Sequence, residues 1–213
     1  MQYVYPPRPK SKIRPSQLPF EEDRGIWLWQ PKFDGDRCTV GIENGKVYLG
    51  NRHGKWHQSS KFPQVRRSIS SLNLPSGSHR LDAEMVGDVL VLFDILQHKD
   101  YLIGEDQLSR LDLLDEVCGH PTTPCLNGLA LQITDHLWLS SRGDSNFSQK
   151  FEEISGYRSE HQKGLLSDGA EIGKMVEGLL LRQKDSILDN YGASPYDVAW
   201  QLRCRCQHKN YRF

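Results

Sequence analysis

The sequence has no apolar run long enough to cross a membrane. Its longest, Val89–Phe93, reads as a strand. It opens on a Pro-rich, basic stretch with no apolar segment of the kind that directs secretion, so a secreted product is not expected. Cysteine is scarce: five residues, an odd count in no framework spacing, which points to a reducing compartment rather than a disulfide scaffold. No internal repeat and no low-complexity block occur. Net charge is absent too, with 27 basic and 27 acidic residues. That argues against a uniformly basic nucleic-acid binder, but the charges are unevenly placed. Residues 1–20 carry Arg8, Lys10, Lys12 and Arg14 with no acid, and residues 201–213 carry Arg203, Arg205, Lys209 and Arg212 with no acid. Basic ends around an acidic middle suit an anionic polymer and a metal. Two solvated tails would look the same.

What is present is ordinary globular usage, 37% hydrophobic and 25% charged over 213 residues. This is enough chain for a real core. Prolines 6, 7, 9, 15 and 19 exclude a long helix and predict an extended basic arm over residues 1–24, ahead of one domain over 25–213. Two hairpins can be read with register. Asn44-Gly45 joins Arg37–Glu43 to Lys46–Arg52, pairing Glu43 with Lys46, Gly41 with Tyr48 and Arg37 with Arg52. Opposed arginines repel, which makes sense if an anion lies at them. Gly87-Asp88 joins Leu81–Val86 to Val89–Leu96, pairing Glu84 with Val91 and Asp82 with Phe93. Asp82, Glu84 and Phe93 then share a face, which reads either as a site or as a solvent-facing side.

Helical spacing of Leu108, Leu111, Leu114 and Val117 predicts a helix over 103–117, with Arg110 as an ion pair or cap. Strands are expected at 127–134, 176–182 and 197–205, and a partly helical polar segment at 145–163. The mixture predicts an α+β fold with antiparallel sheets and flanking helices. Trp27, Trp29, Trp138 and Trp200 read as core or interface. Cys204, Cys206 and His208 form an incomplete zinc set. Trp56, with Lys55 and His57, is a candidate nucleic-acid contact.

The richest segment is Lys32-Phe33-Asp34-Gly35-Asp36-Arg37. Lys32 and Asp34 share a face of an extended strand, and Gly35 permits a bulge that brings Arg37 round. A lysine amine is a nucleophile only when neutral, so cations or burial must favour that form. Further motifs follow in order: Asn51-Arg52-His53-Gly54, Leu81-Asp82-Ala83-Glu84, Phe93-Asp94-Ile95-Leu96 and Glu177-Gly178-Leu179-Leu180-Leu181-Arg182.

With these in sequence, the chain resembles the nucleotidyltransferase domain of ATP-dependent DNA ligases, in the superfamily of polynucleotide ligases and mRNA capping enzymes. The resemblance spans residues 30–205. It implies a central nucleotide cleft, with ATP and Mg²⁺ as cofactors. Lys32 would form a covalent lysyl-AMP, and Asp34 would orient it and later help activate a 3′-hydroxyl. Gln30, Arg37, Arg52, Glu84, Phe93, Glu177, Leu179, Arg203 and Arg205 would contact the nucleotide. Glu84 and Glu177 would approach the metal, and Arg52, Lys55, Arg203, Arg205 and Lys209 would meet nucleic acid.

The implied activity is sealing of 5′-phosphate/3′-hydroxyl nicks in double-stranded DNA during replication, repair or recombination. The implied protein is a monomer in the cytoplasm of a bacterial or virus-infected cell, or in a nucleus. RNA ligase, GTP-using capping guanylyltransferase and an inactive nucleic-acid-binding module of the same fold are the alternatives. The sequence departs from the pattern at Gln30, where many relatives carry Glu, at Ala83 in place of Gly, and at Arg203 and Arg205 in place of lysines. Relatives usually continue into an OB-fold domain. None is expected within this sequence, which implies a minimal ligase, a fragment, or a chain served by a separate OB-fold or clamp partner.

Overall fold

A computed structural model describes residues 2–207. In chain order the elements are β1 (Arg8–Lys12), α1 (Leu18–Asp23), β2 (Trp27–Phe33), β3 (Asp36–Glu43), β4 (Lys46–Asn51), α2 (Pro63–Ile69), β5 (Ser78–Val86), β6 (Val89–His98), β7 (Asp100–Tyr101), α3 (Gln107–Val117), β8 (Thr123–Cys125), β9 (Ala130–Thr134), β10 (Leu137–Ser140), α4 (Phe147–Gln162), α5 (Asp168–Met175), β11 (Val176–Gln183) and β12 (Asp197–Arg205). The α+β class is as expected. No helix among the described residues is long and apolar enough to cross a membrane. The chain divides into two compact units.

The first unit comprises residues 1–8, 35–140 and 185–196. Its sheet runs β4-β3-β5-β6-β10-β9-β8, with β7 pairing β6. All pairs are antiparallel except β10 with β6, which is parallel. The first hairpin has the expected register, Glu43 opposite Lys46 and Gly41 opposite Tyr48. Asn44 and Gly45 at its tip both take positive φ, 49° and 77°, as a tight two-residue turn demands. The ladder ends at Cys38–Asn51, so Arg52 lies beyond the strand and does not face Arg37 across it. Arg37 instead stands opposite Glu84 on β5.

The second hairpin pairs Val86 with Val89 and Glu84 with Val91, as read from its turn. Beyond Ala83–Leu92 the register shifts by one residue. Asp82 therefore faces Asp94, and Phe93 is the extra residue of a bulge. The shift also changes parity along β6, where the core takes Leu90 and Leu92 but then Ile95. That core holds Val40, Leu49, Leu81, Leu90, Leu92, Ile95 and Leu114, all at 0% exposure. Helix α3 begins later than expected, at Gln107, because Asp106 caps it by accepting from the Ser109 amide at 2.7 Å. Leu108 turns outward at 42% exposure.

Among the described residues, the second unit comprises 9–34, 141–184 and 197–207. Its sheet is β1-β12-β11-β2. Residues 8–12 do run extended, as the edge strand of this sheet, but Leu18 opens a short helix and is fully buried. Helix α4 packs along β11 and α5, burying Phe147, Phe151 and Ile154. A Cβ on Gly173 of α5 would lie 2.1 Å from the Tyr157 carbonyl oxygen of α4, so the two helices meet backbone to backbone.

Candidate active site

Within the second unit, strand register decides which side chains meet. Lys32 is level with Gly178 and Arg205, Gln30 with Leu180 and Arg203, and Leu28 with Arg182 and Gln201. Directly opposed residues point the same way. One face therefore carries Lys32, Gln30, Arg203 and Arg205. The other carries Trp29 and Pro31 with Leu179 and Leu181, and both leucines are fully buried. Leu179 was expected to contact the nucleotide. Its side chain belongs to the apolar face, and Leu180 shares the face of Lys32.

Simple alternation would also send Glu177 to the apolar face. A bulge prevents this. The register jumps between Val176 and Gly178, leaving Glu177 as the extra residue, and Gly178 takes φ 148°. A Cβ at Gly178 would sit 2.1 Å from the Cys204 carbonyl oxygen, so only glycine fits beside β12. The bulge delivers the Glu177 carboxylate to Lys32, whose Nζ donates to Oε1. Arg205 Nη2 approaches the same oxygen at 3.2 Å. Lys32 is 20% exposed and Glu177 15%, so the pair is sheltered but reachable.

Asp34 follows on the turn after β2. Its amide donates to the Met175 carbonyl at 2.9 Å, and Oδ2 pairs with Arg158 Nη2 at 2.8 Å. Sequence reasoning missed Arg158. It lies on a polar helix with no local motif, and only tertiary packing brings it to Asp34. Gln30 is 1% exposed and Arg203 half-buried. Cys204 and Cys206 are buried free thiols, with Cys206 Sγ 3.3 Å from Ser155 Oγ. His208 and Lys209 lie outside the described residues.

In the first unit, Gly35 immediately precedes β3, and a Cβ there would be 2.2 Å from the Met85 carbonyl oxygen, so the chain passes against β5 only because that side chain is absent. Arg37 grips Asp82 with two nitrogens, Nε to Oδ1 at 2.9 Å and Nη2 to Oδ2. It also donates to the Pro7 carbonyl at 2.9 Å and lies 5.7 Å above the Phe93 ring. The anion expected between Arg37 and Arg52 has no such pair to sit at, and Arg37 is answered by Asp82. Burial opposes the charge of Arg37, but Asp82 and then Glu84 outweigh it and its pKa is raised. Arg37, Glu84 and Phe93 are each half-buried.

Asp94 is fully buried and answered by Arg110, Nε to Oδ1 at 3.1 Å, so Arg110 is an ion pair as expected. Arg52 and Lys55 are exposed, with Arg52 Nε 3.3 Å from His53 Nε2. Trp56 is half-buried in an aromatic cluster, its ring centroid 5.1 Å from Tyr3 and 5.9 Å from Tyr48. Among the described residues no three His, Cys, Asp or Glu side chains converge as a metal set.

Solved structures sharing this architecture include DNA ligases. The ligase domain of M. tuberculosis LigD matches 84% of this chain at TM-score 0.55 and 17% identity, over 53% of its own length. The chain has the ligase-type nucleotidyltransferase fold. A mycobacterial DNA ligase D complexed with ATP and MES matches 84% of the chain at TM-score 0.54 and 17% identity, over 54% of its own length. A structure named Pmar-Lig_Pre. matches 95% at TM-score 0.57 and 16% identity, over 46% of its length. This chain thus spans about half the length of the ligase structures it matches. No protein-family model and no curated protein matches it.

Proposed function

We propose that this chain carries the adenylylation chemistry of an ATP-dependent DNA ligase, with Lys32 as the nucleophile. The observation that carries the reading is the placement of Lys32. Its amine sits in a half-sheltered face, held by Glu177 with Arg205 on the same oxygen, inside a Lys-x-Asp-Gly-x-Arg segment whose glycine is sterically required. The neutral Lys32 amine attacks the α-phosphorus of ATP, and its nitrogen releases a proton to solvent as the phosphoramidate forms. An N–P bond forms, the bond to the bridging oxygen breaks, and pyrophosphate leaves with that electron pair. Arg203 and Arg205 are assigned to phosphate, because guanidinium forks match its oxygens. Glu84 and Phe93 are assigned to the sugar and base. Such chemistry is mostly positioning and charge stabilisation.

Mg²⁺ takes oxygen ligands, commonly one or two carboxylates completed by substrate phosphate and water, so the missing three-residue cluster does not argue against it. Glu177 fits, since Lys32 and Arg205 both pair with Oε1. Glu177 is the residue that would hold the ion, which would offset phosphate charge. A nicked duplex is the proposed acceptor, with Arg52, Lys55 and Arg203 as backbone contacts whose binding weakens with salt.

The test is intact-mass analysis after incubation with ATP and Mg²⁺. The expected result is an AMP-sized gain that Lys32→Ala abolishes. A gain that survives in Lys32→Ala removes the nucleophile. A GMP adduct from GTP in place of AMP would turn the reading to a capping guanylyltransferase, and preference for RNA strands at the nick to an RNA ligase.

A further inference from the structure

We propose that Arg158 is a positioning residue that sets Lys32 against Glu177; the inference rests on the reading of Lys32 as nucleophile. Arg158 lies on α4 with its side chain only 12% exposed. One arm of its guanidinium, Nη2, pairs with Asp34 Oδ2 at 2.8 Å. The other, Nη1, donates to the Gly173 carbonyl at 2.9 Å. Asp34 is two residues after Lys32, and Gly173 is four residues before Glu177. A single planar group thus ties the segment leaving Lys32 to the segment entering Glu177.

Two backbone contacts make this tie stiff. The Asp34 amide donates to the Met175 carbonyl at 2.9 Å, and the Cys206 amide donates to the Glu177 carbonyl at 2.9 Å. The base of the clamp is fixed as well, because Gly173 brings α5 into backbone contact with α4 beside Arg158, its hypothetical Cβ 3.0 Å from the Arg158 nitrogen. Arg158 itself touches neither Lys32 nor Glu177, and no nucleotide role is assigned to it. Its effect must pass through where those two groups are held, and small misplacements of a reacting group cost large factors in rate.

The experiment has two readouts. The first is single-turnover AMP transfer to Lys32. Arg158→Ala should slow transfer at saturating ATP by about 10- to 100-fold while the KM for ATP changes less than about twofold, as loss of alignment rather than of binding predicts. Arg158→Lys should recover part of the rate, since an ammonium reaches Asp34 but lacks the second prong. The second readout needs no activity. Acetylation of Lys32 by a dilute amine-reactive ester is followed by mass spectrometry relative to the exposed Lys61 of the same molecule. That ratio should rise about threefold in Arg158→Ala or Arg158→Gln, on the order expected when an amine loses a sheltering partner.

A purely structural role would lower the melting temperature and leave the ratio at its wild-type value. That outcome overturns the proposal, as does a rise in KM with unchanged maximal rate. If wild type acquires no AMP at all, the ligase reading falls, while the acetylation ratio still decides whether Arg158 positions Lys32.

Discussion

Asp82 and Asp94 stand directly opposite each other on adjacent strands, both fully buried, and each is neutralised by its own arginine. Two carboxylates at cross-strand distance would repel strongly away from water. Arg37 and Arg110 remove that conflict.

Breaking the deeper pair should therefore be costly. Arg110 and Asp94 are both at 0% side-chain exposure. Asp94→Ala or Arg110→Ala should each destabilise the chain by about 3–5 kcal/mol, because either leaves a buried charge unanswered. The Asp94→Ala/Arg110→Ala double variant should lose less stability than the two single losses combined. Urea unfolding of the four proteins checks this, and strict additivity would refute it.

The bulge at Glu177 makes its own prediction. Gly178→Ala places a Cβ against the Cys204 carbonyl oxygen at a φ of 148° that side chains rarely adopt. The bulge should relax toward regular pairing and withdraw Glu177 from Lys32. Stability should drop by about 1–3 kcal/mol, with AMP transfer falling more than nucleotide affinity. Equal transfer rates in Gly178→Ala and wild type would show that the bulge is not needed.

Neighbouring leucines on β11 should behave oppositely. Leu179→Ala empties a fully buried site and should cost about 2–5 kcal/mol of stability. Leu180→Ala, on the face of Lys32, should cost less than about 1.5 kcal/mol, as a partly exposed truncation does, and should act on the KM for ATP. Thermal melts and ATP titrations of the two variants separate the faces.

Acid should weaken the β5–β6 hairpin through His79 and His98, which are cross-strand partners with ring centroids 5.1 Å apart. Burial lowers the pKa of His79, with His98, Lys99 and Arg80 adding to the shift and a hydrogen bond to the Pro75 carbonyl opposing it. Burial likewise lowers the pKa of His98, joined by Lys99 and opposed by Glu116. Both imidazoles thus resist protonation more in the folded chain than in the unfolded one. As pH falls through the unfolded value of about 6.5, the unfolded chain takes up protons that the folded one refuses, and stability drops until the lowered folded values are passed. The melting temperature should fall between pH 7.5 and 5.5, and fall less in the His79→Gln/His98→Gln variant. The same decrement in both proteins would show that other groups govern it.

The two-residue turn at Asn44-Gly45, the pairing of Glu43 with Lys46, and the limits of β12 at Asp197–Arg205 were legible in the amino-acid order. Turn chemistry and period-two alternation are local, so a short window contains them. Alternation failed where a strand gained one residue. At Phe93 the bulge moved Asp94, not Phe93, opposite Asp82, and at Glu177 it moved the carboxylate to the face of Lys32 and left Leu179 in the core. Nothing near those residues announces an extra position, because a bulge is fixed by how neighbouring strands and carbonyls fit. Arg158, Arg110 and the Asp82 carboxylate that holds Arg37 likewise became partners only through contacts between distant segments. The order of residues determined which chemical groups and which turns this protein has; the folded packing decided which of those groups share a face, since a buried charge is held wherever a counter-charge can be brought to it.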